Sequence, residues 1–523
     1  MISKTTACGI ARFFIGMTLS GGSASAATYH VEVCGDNANS GLDGSPWRTL
    51  AKACNTVEAD QGHIIHIGEG IFTETEILKL KSGVSLSGEG PQKTRILVNH
   101  LFSLTDAVPN ANPHRNTFPE HFVLQMNGSN QVVKGFSLDG QDKRCHGGIF
   151  APFTREVTFE NLHVTNFRYS GLWVIEANDT IVRFNRFKNN TYGNPKKAGE
   201  GGGDSGSLQY HRGKNLIIHD NRIEETGNLG PNYGGYGMKA QDRNYSVSAS
   251  NVLEGLKVYN NVITVPSNGA WEKGIAPAFA AEFLGMALKD AEIYNNLLNN
   301  TLSLAGPAGS GEGIRIHHNF INIGKGRYGY GVEANVSNVE IDHNYFCGGL
   351  HPIAVFGRNP KNHNIHHNIF EGACAGAFTN RNLLHYKVPV TNLRFTNNTV
   401  IDNGSIGQLF ALQESTTYEV RNNLFIRPGE PRDNWGPEIS GKISHNFFVN
   451  VSPRGENVMT GDAGITLGGE SPLRPPYYTF KPDSPLLNRG EVIGSLTDGF
   501  TGSAPDIGAI EDGVALIIPV ETH

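Results

Sequence analysis

Three absences narrow the reading of this 523-residue chain before any motif is considered. It has no block of Lys and Arg and no interleaving of basic with aromatic residues, and its formal net charge is −6. Nucleic acid is therefore not an expected partner. Past the N-terminal segment, no stretch is long and apolar enough to cross a bilayer, so no membrane span is expected. Cysteine is scarce, six in all, with no Cys-x-x-Cys and no His-Cys zinc spacing, which argues against a zinc site.

Glycine is abundant instead, at 64 residues, and hydrophobic residues make up 38% of the chain. That balance suits many short strands and tight turns better than a helical protein. The first residues predict export. Lys4 and Arg12 supply positive charge, Phe13-Phe14-Ile15-Gly16-Met17-Thr18-Leu19 is apolar, and Ala24-Ser25-Ala26 offers a small-residue cleavage site before Ala27. The mature protein is expected to be secreted or periplasmic, and monomeric. Export permits disulfides. Cys34 could pair with Cys54, and Cys347 with Cys374; Cys145 reads as a small buried residue.

A short phrase recurs along the chain, alternating apolar and polar residues up to an Asn and then another apolar residue. It runs through Asn185, Asn221, Asn261, Asn296, Asn319, Asn344, Asn368, Asn398, Asn423 and Asn446. The spacing is about 23–30 residues from Asn319 onward and about 35–40 before Asn296, a period that marks a repeat architecture. Period-2 strands at this spacing predict a β-solenoid, one continuous core of roughly thirteen coils and about 60 Å, with strands about 4.8 Å apart. Asn suits the turn because it tolerates left-handed backbone, and stacked Asn side chains can hydrogen-bond from coil to coil. His317, His318, His366 and His367 occupy equivalent turn positions and read as solvated turn residues rather than metal ligands.

Upstream, Ser45 is expected to cap a short helix with Pro46 in its first turn. Such a helix would shield the open end of the solenoid, where strand edges are unpaired. The opening residues Trp47-Arg48-Thr49-Leu50-Ala51-Lys52-Ala53 and Gly68-Glu69-Gly70-Ile71-Phe72, and the closing residues Asp483-Ser484-Pro485-Leu486-Leu487-Asn488-Arg489-Gly490 and Pro505-Asp506-Ile507-Gly508-Ala509-Ile510-Glu511, resemble secreted right-handed parallel β-helix proteins. That superfamily includes many polysaccharide lyases. The resemblance implies an all-β, right-handed parallel β-helix over residues 27–451 with an N-terminal helical cap. A tail over residues 452–523 would pack on it or cap it.

Aligning the coils on the Asn and reading the strand upstream gives an outward row of Trp173, Gln209, Lys239, Glu282 and Glu333, with His211 on the same face. The row falls where Gly-rich insertions at 190–206 and 226–236 enter the chain, and loops on a rigid scaffold tend to carry function. No helix follows those glycines, so they are not phosphate cradles. An extended polysaccharide could lie along such a row, one sugar per coil. Trp173, Gln209 and Tyr236 would then be substrate-binding residues.

Two chemistries fit these residue types. Cleavage of a uronate polymer by β-elimination needs a base, for which Lys239 or His211 is the candidate, and a cation on the carboxylate, for which Arg212 or Arg243 is. Asp204, Glu282 and Glu333 could hold Ca²⁺, the one cofactor expected. Hydrolysis would instead use two of those three carboxylates. Leu208-Gln209-Tyr210-His211-Arg212-Gly213-Lys214-Asn215 is similar to the arginine-bearing coil of alginate and dermatan lyases of this fold. It departs from them in the swapped order of His and Arg, and in Glu176 standing where their catalytic Lys belongs. The expectation is a secreted polysaccharide lyase, with a glycoside hydrolase or C5-epimerase as the alternative and a carbohydrate-binding adhesin after that.

Overall fold

In the strands leading to the repeated Asn the chain buries every second residue, and the buried residues line up from coil to coil. One such row passes through Ile65, Leu86, Val133, Phe159, Val182, Ile218, Val258, Ile293, Ile316, Ile341, Ile365, Phe395, Val420 and Ile443 in unbroken register. All but the half-buried Ile443 are buried in a single core cluster. β-Branched and aromatic residues dominate because they pack well on a pleated surface, and each buried side chain of this size contributes roughly 1.5–3 kcal/mol. The protein, seen here in a computed structural model, is a right-handed parallel β-helix with three parallel ladders. The structure describes residues 26–99, 122–126, 128–141, 145, 147–191, 206–226, 236–241, 251–265, 279–324, 329–372, 382–402, 406–436, 441–467, 477–514 and 516.

Two ladders meet at the Asn turn. The third has twelve strands and lies apart from that turn. In each coil of the middle region the third-ladder strand comes first, then the two strands that flank the Asn. Gly206–Tyr210, Gly213–His219 and Arg222–Glu224 make one such coil. The twelve strands of the third ladder sit close to the roughly thirteen coils expected.

The Asn turn differs from expectation in one residue. The left-handed position is the residue before each ladder Asn: Phe184, Asp220, Asn260, Asn295, His318, His343, His367, Asn397, Asn422 and His445 all have φ between 48° and 57°. The ladder Asn themselves are buried and serve as hydrogen-bond relays. In the Asn344 rung, Asn319 donates its backbone N–H and its Nδ2 to Asn344 Oδ1, both at 3.0 Å. Asn344 in turn donates to Asn368 Oδ1 and back to the Ile316 carbonyl. The same pattern links Asn185 to Asn221 and runs on to Asn446. Each buried amide is thereby satisfied, which a polar core requires.

The turn histidines are only partly solvated. The rings of His318, His343 and His367 stack in parallel, 4.9 and 5.0 Å apart, and His366 is buried. The tail segment Ser495–Phe500, with Ala509, Ile510, Glu511, Val514 and Leu516, lies over them across a cavity of about 540 Å³. Burial and neighbouring imidazoles push His318 down to about 4. The tail is anchored by Asn397 donating to the Asp506 carbonyl, by Ala509 N–H donating to Thr399 Oγ1, and by Tyr477, Tyr478 and Leu516 packing on Tyr345, Ile369 and Ile401.

The N-terminal helix covers Leu50–Thr56, and Thr49, not Ser45, caps it by accepting from Lys52 N–H. Pro46 lies before the helix. It is seven residues long and packs mainly on the Leu78–Leu80 strand, so the expected helical cap over the open end is not evidenced. Cys34 and Cys54 are thiols rather than a disulfide. Cys54 belongs to the buried face of the helix while Cys34 is at the surface, and burial lifts the Cys54 thiol to about 12. Cys347 is buried; Cys374 lies outside the described residues. No helix among the described residues is long and apolar enough to cross a membrane.

Candidate functional site

The third ladder carries the row that the sequence placed on one face. Its register pairs Trp173 with Gln209, Gln209 with Lys239, and Lys239 with Glu282. Glu282 is paired with Ser303 and Ser303 with Glu333. Leu172, Leu208, Met238, Ala281, Leu302 and Val332 sit beside them in the core. The register therefore puts these residues on one face of the ladder, where Trp173, Gln209, Lys239 and Glu282 are buried, and Ser303 on the Thr301–Ala305 strand is a rung that sequence reasoning passed over.

At the centre is a buried ion pair. Lys239 Nζ contacts Glu282 Oε2, and both side chains are buried. Lys239 Nζ also lies 4.0 Å from the ring centre of Tyr236, a cation–π arrangement. Burial works against the charge on Lys239, but Glu282 and then Tyr236 outweigh it, and its pKa ends above the usual lysine value. Burial raises Tyr236 to about 12. Gly206 makes room for this arrangement: a Cβ there would lie 2.7 Å from the Lys239 Cβ.

Two rungs on, Glu333 is held differently. Ser303 Oγ donates to its Oε2 at 2.9 Å and Asn335 Nδ2 to its Oε1 at 2.7 Å. Burial is the larger influence and, with the neighbouring Glu282, raises the Glu333 pKa despite those two donors. Asn335 Oδ1 accepts in turn from Phe356 N–H at 2.7 Å and Gly357 N–H at 3.3 Å, tying the Glu333 carboxyl to the next turn. One carboxylate is thus matched with a cation while its neighbour is pushed toward the neutral form.

Trp173 departs from its expected role. It is 1% exposed and packs in a cluster with Phe122, Phe150, Tyr169 and Ile175. Four other large side chains share its outer face, so it offers no open ring for a sugar. Its indole Nε1 donates to His211 Nε2 at 3.0 Å. That bond occupies the lone pair through which His211 would act as a base. Arg212 pairs with Glu176 and lines a separate surface pocket with Lys214, Glu254 and Lys289. Gln209 lies between Trp173 and Lys239, and its buried amide nitrogen has no hydrogen-bond partner among the described residues. Asp204, Arg243 and nearly all of the 190–206 and 226–236 loops lie outside the described residues.

Of the three carboxylates expected to hold Ca²⁺, Glu282 contacts the Lys239 ammonium, Glu333 accepts from Ser303 and Asn335, and Asp204 lies outside the described residues. His318, Asp342 and His343, and likewise Glu340, Asp342 and His366, bring ligand atoms close together at the Asn turn. Asp342 there accepts from Arg315 Nε at 2.8 Å and Nη2 at 2.7 Å, and pairs with His343 Nδ1 at 2.8 Å. Its oxygens are engaged by these partners.

No family model matches the chain, and no curated protein matches its sequence. Solved structures similar to it include pectate lyase Pel9A, at 15% identity over 94% of this chain and 97% of that one, with a TM-score of 0.31. PfbA, a surface adhesin of Streptococcus pneumoniae, matches at 13% identity over 80% of this chain and 90% of that one, with a TM-score of 0.43. An alginate lyase from Paenibacillus sp. str. FPU-7 matches at 13% identity over 69% and 98% of the two chains, with a TM-score of 0.36. The fold assignment rests on the strand register, not on these likenesses.

Proposed function

We propose that the chain is a carbohydrate-active enzyme that binds an extended polysaccharide along the Gln209–Glu333 row and cleaves it by hydrolysis. The observation that carries this reading is the contrast between Glu282, ion-paired with Lys239, and Glu333, raised by burial. In this reading Glu333 is the proton donor to the leaving oxygen and Glu282 the carboxylate that directs water. Their backbones stand two rungs apart, about 10 Å by the ladder spacing.

The β-elimination expected from the sequence needs a base that is neutral or anionic at working pH. The three groups in reach do not meet that need. Lys239 is raised, Tyr236 is raised to about 12, and the His211 Nε2 lone pair is engaged by Trp173.

The test is turnover on acidic and neutral polysaccharides, read both as new reducing ends and as the ultraviolet absorbance of unsaturated sugars. Hydrolysis predicts reducing ends without that absorbance. Glu333→Gln should lower turnover by about 10²–10⁴-fold, the range for a lost general acid. The pH profile carries a sign. A general acid with a raised pKa works below that pKa, so activity should persist through the mildly acidic range and fall as pH rises through it. Unsaturated products, or a Glu333→Gln variant of normal activity, would end this reading.

A further inference from the structure

Beyond Glu333 the outer face of the third ladder changes character. Glu333 pairs in register with Ala354, and Ala354 with His385. Ala354 presents only a methyl group, and rings gather around the space above it. Tyr330 and Phe356 have ring centres 4.8 Å apart, Phe356 and His385 are 5.7 Å apart, and His351 stacks on His385 at 4.1 Å. Phe356, Tyr330 and His385 are half-buried, unlike Trp173 at the other end of the row. Lys387 is exposed, with Nζ 5.0 Å from the centre of the Phe356 ring. Arg358 is close enough to Glu333 to act on its charge.

We propose that Phe356, with Tyr330 and His385 around it and Lys387 and Arg358 beside it, is the subsite for the sugar next to the Glu282–Glu333 pair, and that this sugar is anionic. The inference rests on the polysaccharide reading of the row. A pyranose ring carries one apolar face, which a partly open aromatic ring covers, while its substituents point outward in the ring plane. Here the charged groups at the ring platform are cations: Lys387 Nζ lies over the Phe356 ring, and Arg358 acts on the charge of the neighbouring Glu333. A carboxylate or sulfate meets a charge partner there, and a hydroxyl does not. The distance along the face fits as well: Ala354 is one rung past Glu333, a step of about 4.8 Å and close to the length of one sugar. Asn335 fixes the relation between the two places, since it donates to Glu333 and accepts from the Phe356 N–H. The platform therefore holds its neighbour sugar at a set distance from the carboxyl that would protonate the bond.

Affinity electrophoresis of the full chain tests this without requiring turnover. Gels would contain a polyuronate, a sulfated glycan or a neutral glucan, at low and at high salt. One anionic polymer should retard the protein and the neutral glucan should not; which one does so distinguishes carboxylate from sulfate. Phe356→Ala should weaken retention about tenfold, at the upper end for a lost ring contact. Lys387→Gln should weaken it about threefold at low salt and less at high salt, as for a single exposed charge. Lys387 is exposed and Phe356 half-buried, and unchanged thermal unfolding would show that the fold is intact. Equal retardation by neutral glucan, no retardation by any polymer, or retention by the anionic polymer untouched by both substitutions would overturn the subsite. The hydrolase reading fails separately. Lys387-dependent binding without cleavage would leave the subsite standing and remove the assigned chemistry, whereas cleavage indifferent to Phe356 and Lys387 would do the reverse.

Discussion

The Asn turn and the third-ladder face are both rows of polar side chains stacked one per coil, yet they are built on opposite rules. On the turn the same residue recurs from Asn185 to Asn446, it carries no charge, and each amide gives and receives along the row. On the face the residue changes at every rung, through Gln209, Lys239, Glu282, Ser303 and Glu333, with charge in the middle and, at one end, an amide nitrogen that has no partner among the described residues. A repeated polar residue is a scaffold device, because identical rungs satisfy one another at any length. A row that breaks the repeat loses that mutual satisfaction and bears the desolvation of its charges. Natural sequences depart from local consistency chiefly at functional sites.

The largest effect should come from splitting the buried pair. Lys239→Met leaves the Glu282 carboxyl buried without its cation, which costs about 3–5 kcal/mol when a buried partner is removed. Turnover should be lost as well. The double variant Lys239→Met with Glu282→Leu should regain most of the stability, because apolar replacement of both members is often neutral, and it should regain no activity. Denaturant unfolding and turnover on the same preparations check both parts. A double variant with full activity would make the pair a scaffold element and erase the contrast with the Asn turn.

Breaking the turn row should have the converse signature. Asn344→Ala removes donors to Asn368 Oδ1, the Ile316 carbonyl and the Asp342 carbonyl, and it strands the Asn319 N–H. At about 1–3 kcal/mol for each buried group left unpaired, with partial relaxation, the loss should be roughly 2–4 kcal/mol. Turnover per folded molecule should stay unchanged, as measured below the unfolding transition. If activity falls in proportion to Asn344→Ala while stability holds, the turn is coupled to the site in a way the register does not suggest.

How much of this could be read from the sequence follows from the same contrast. The Asn were legible because they repeat, and they gave the coil count, the register and the outward face of Trp173, Gln209, Lys239, Glu282 and Glu333. Ser303 was missed because the turn from Gly306 to Gly311 sets it 16 residues before Asn319, against 11 to 14 between Trp173, Gln209, Glu282 or Glu333 and the Asn that follows each. The burial of Trp173 was not legible either. Alternation names the face a side chain takes but not which rings arrive there from other coils, in this case Phe122 and Phe150. The left-handed residue was placed one position too late, because Asn, Asp and His all fit that conformation and the adjacent Asn drew the assignment. Whether a lysine on the face is neutral or charged depends on its partner. Glu282 was in the same row, but its side-chain contact with Lys239 is a fact of packing rather than of spacing.

The smallest effect separates the two neighbours within the turn itself. His343 holds φ at 52° and precedes Asn344, whereas Asn295, Asn397 and Asn422 hold nearly the same φ at the equivalent place, at 52°, 48° and 57°. His343→Asn therefore keeps a side chain that tolerates left-handed backbone. What it removes is the ring stack with His318 and His367 and the Nδ1 contact with Asp342, which keeps both of its bonds from Arg315. The expected cost is within about 1 kcal/mol, the scale of an aromatic pair beyond its buried area. His343→Val should cost more, about 1–2 kcal/mol from the backbone alone, because a β-branched residue resists that conformation. Thermal unfolding of the two variants side by side decides between the backbone and the stack. If Asn is tolerated and Val is not, the turn selects for backbone geometry and the histidines are one of several ways to meet it. If Asn costs as much as Val, the stacked rings stabilise the turn directly, and the row beside the Asn ladder has a structural role of its own.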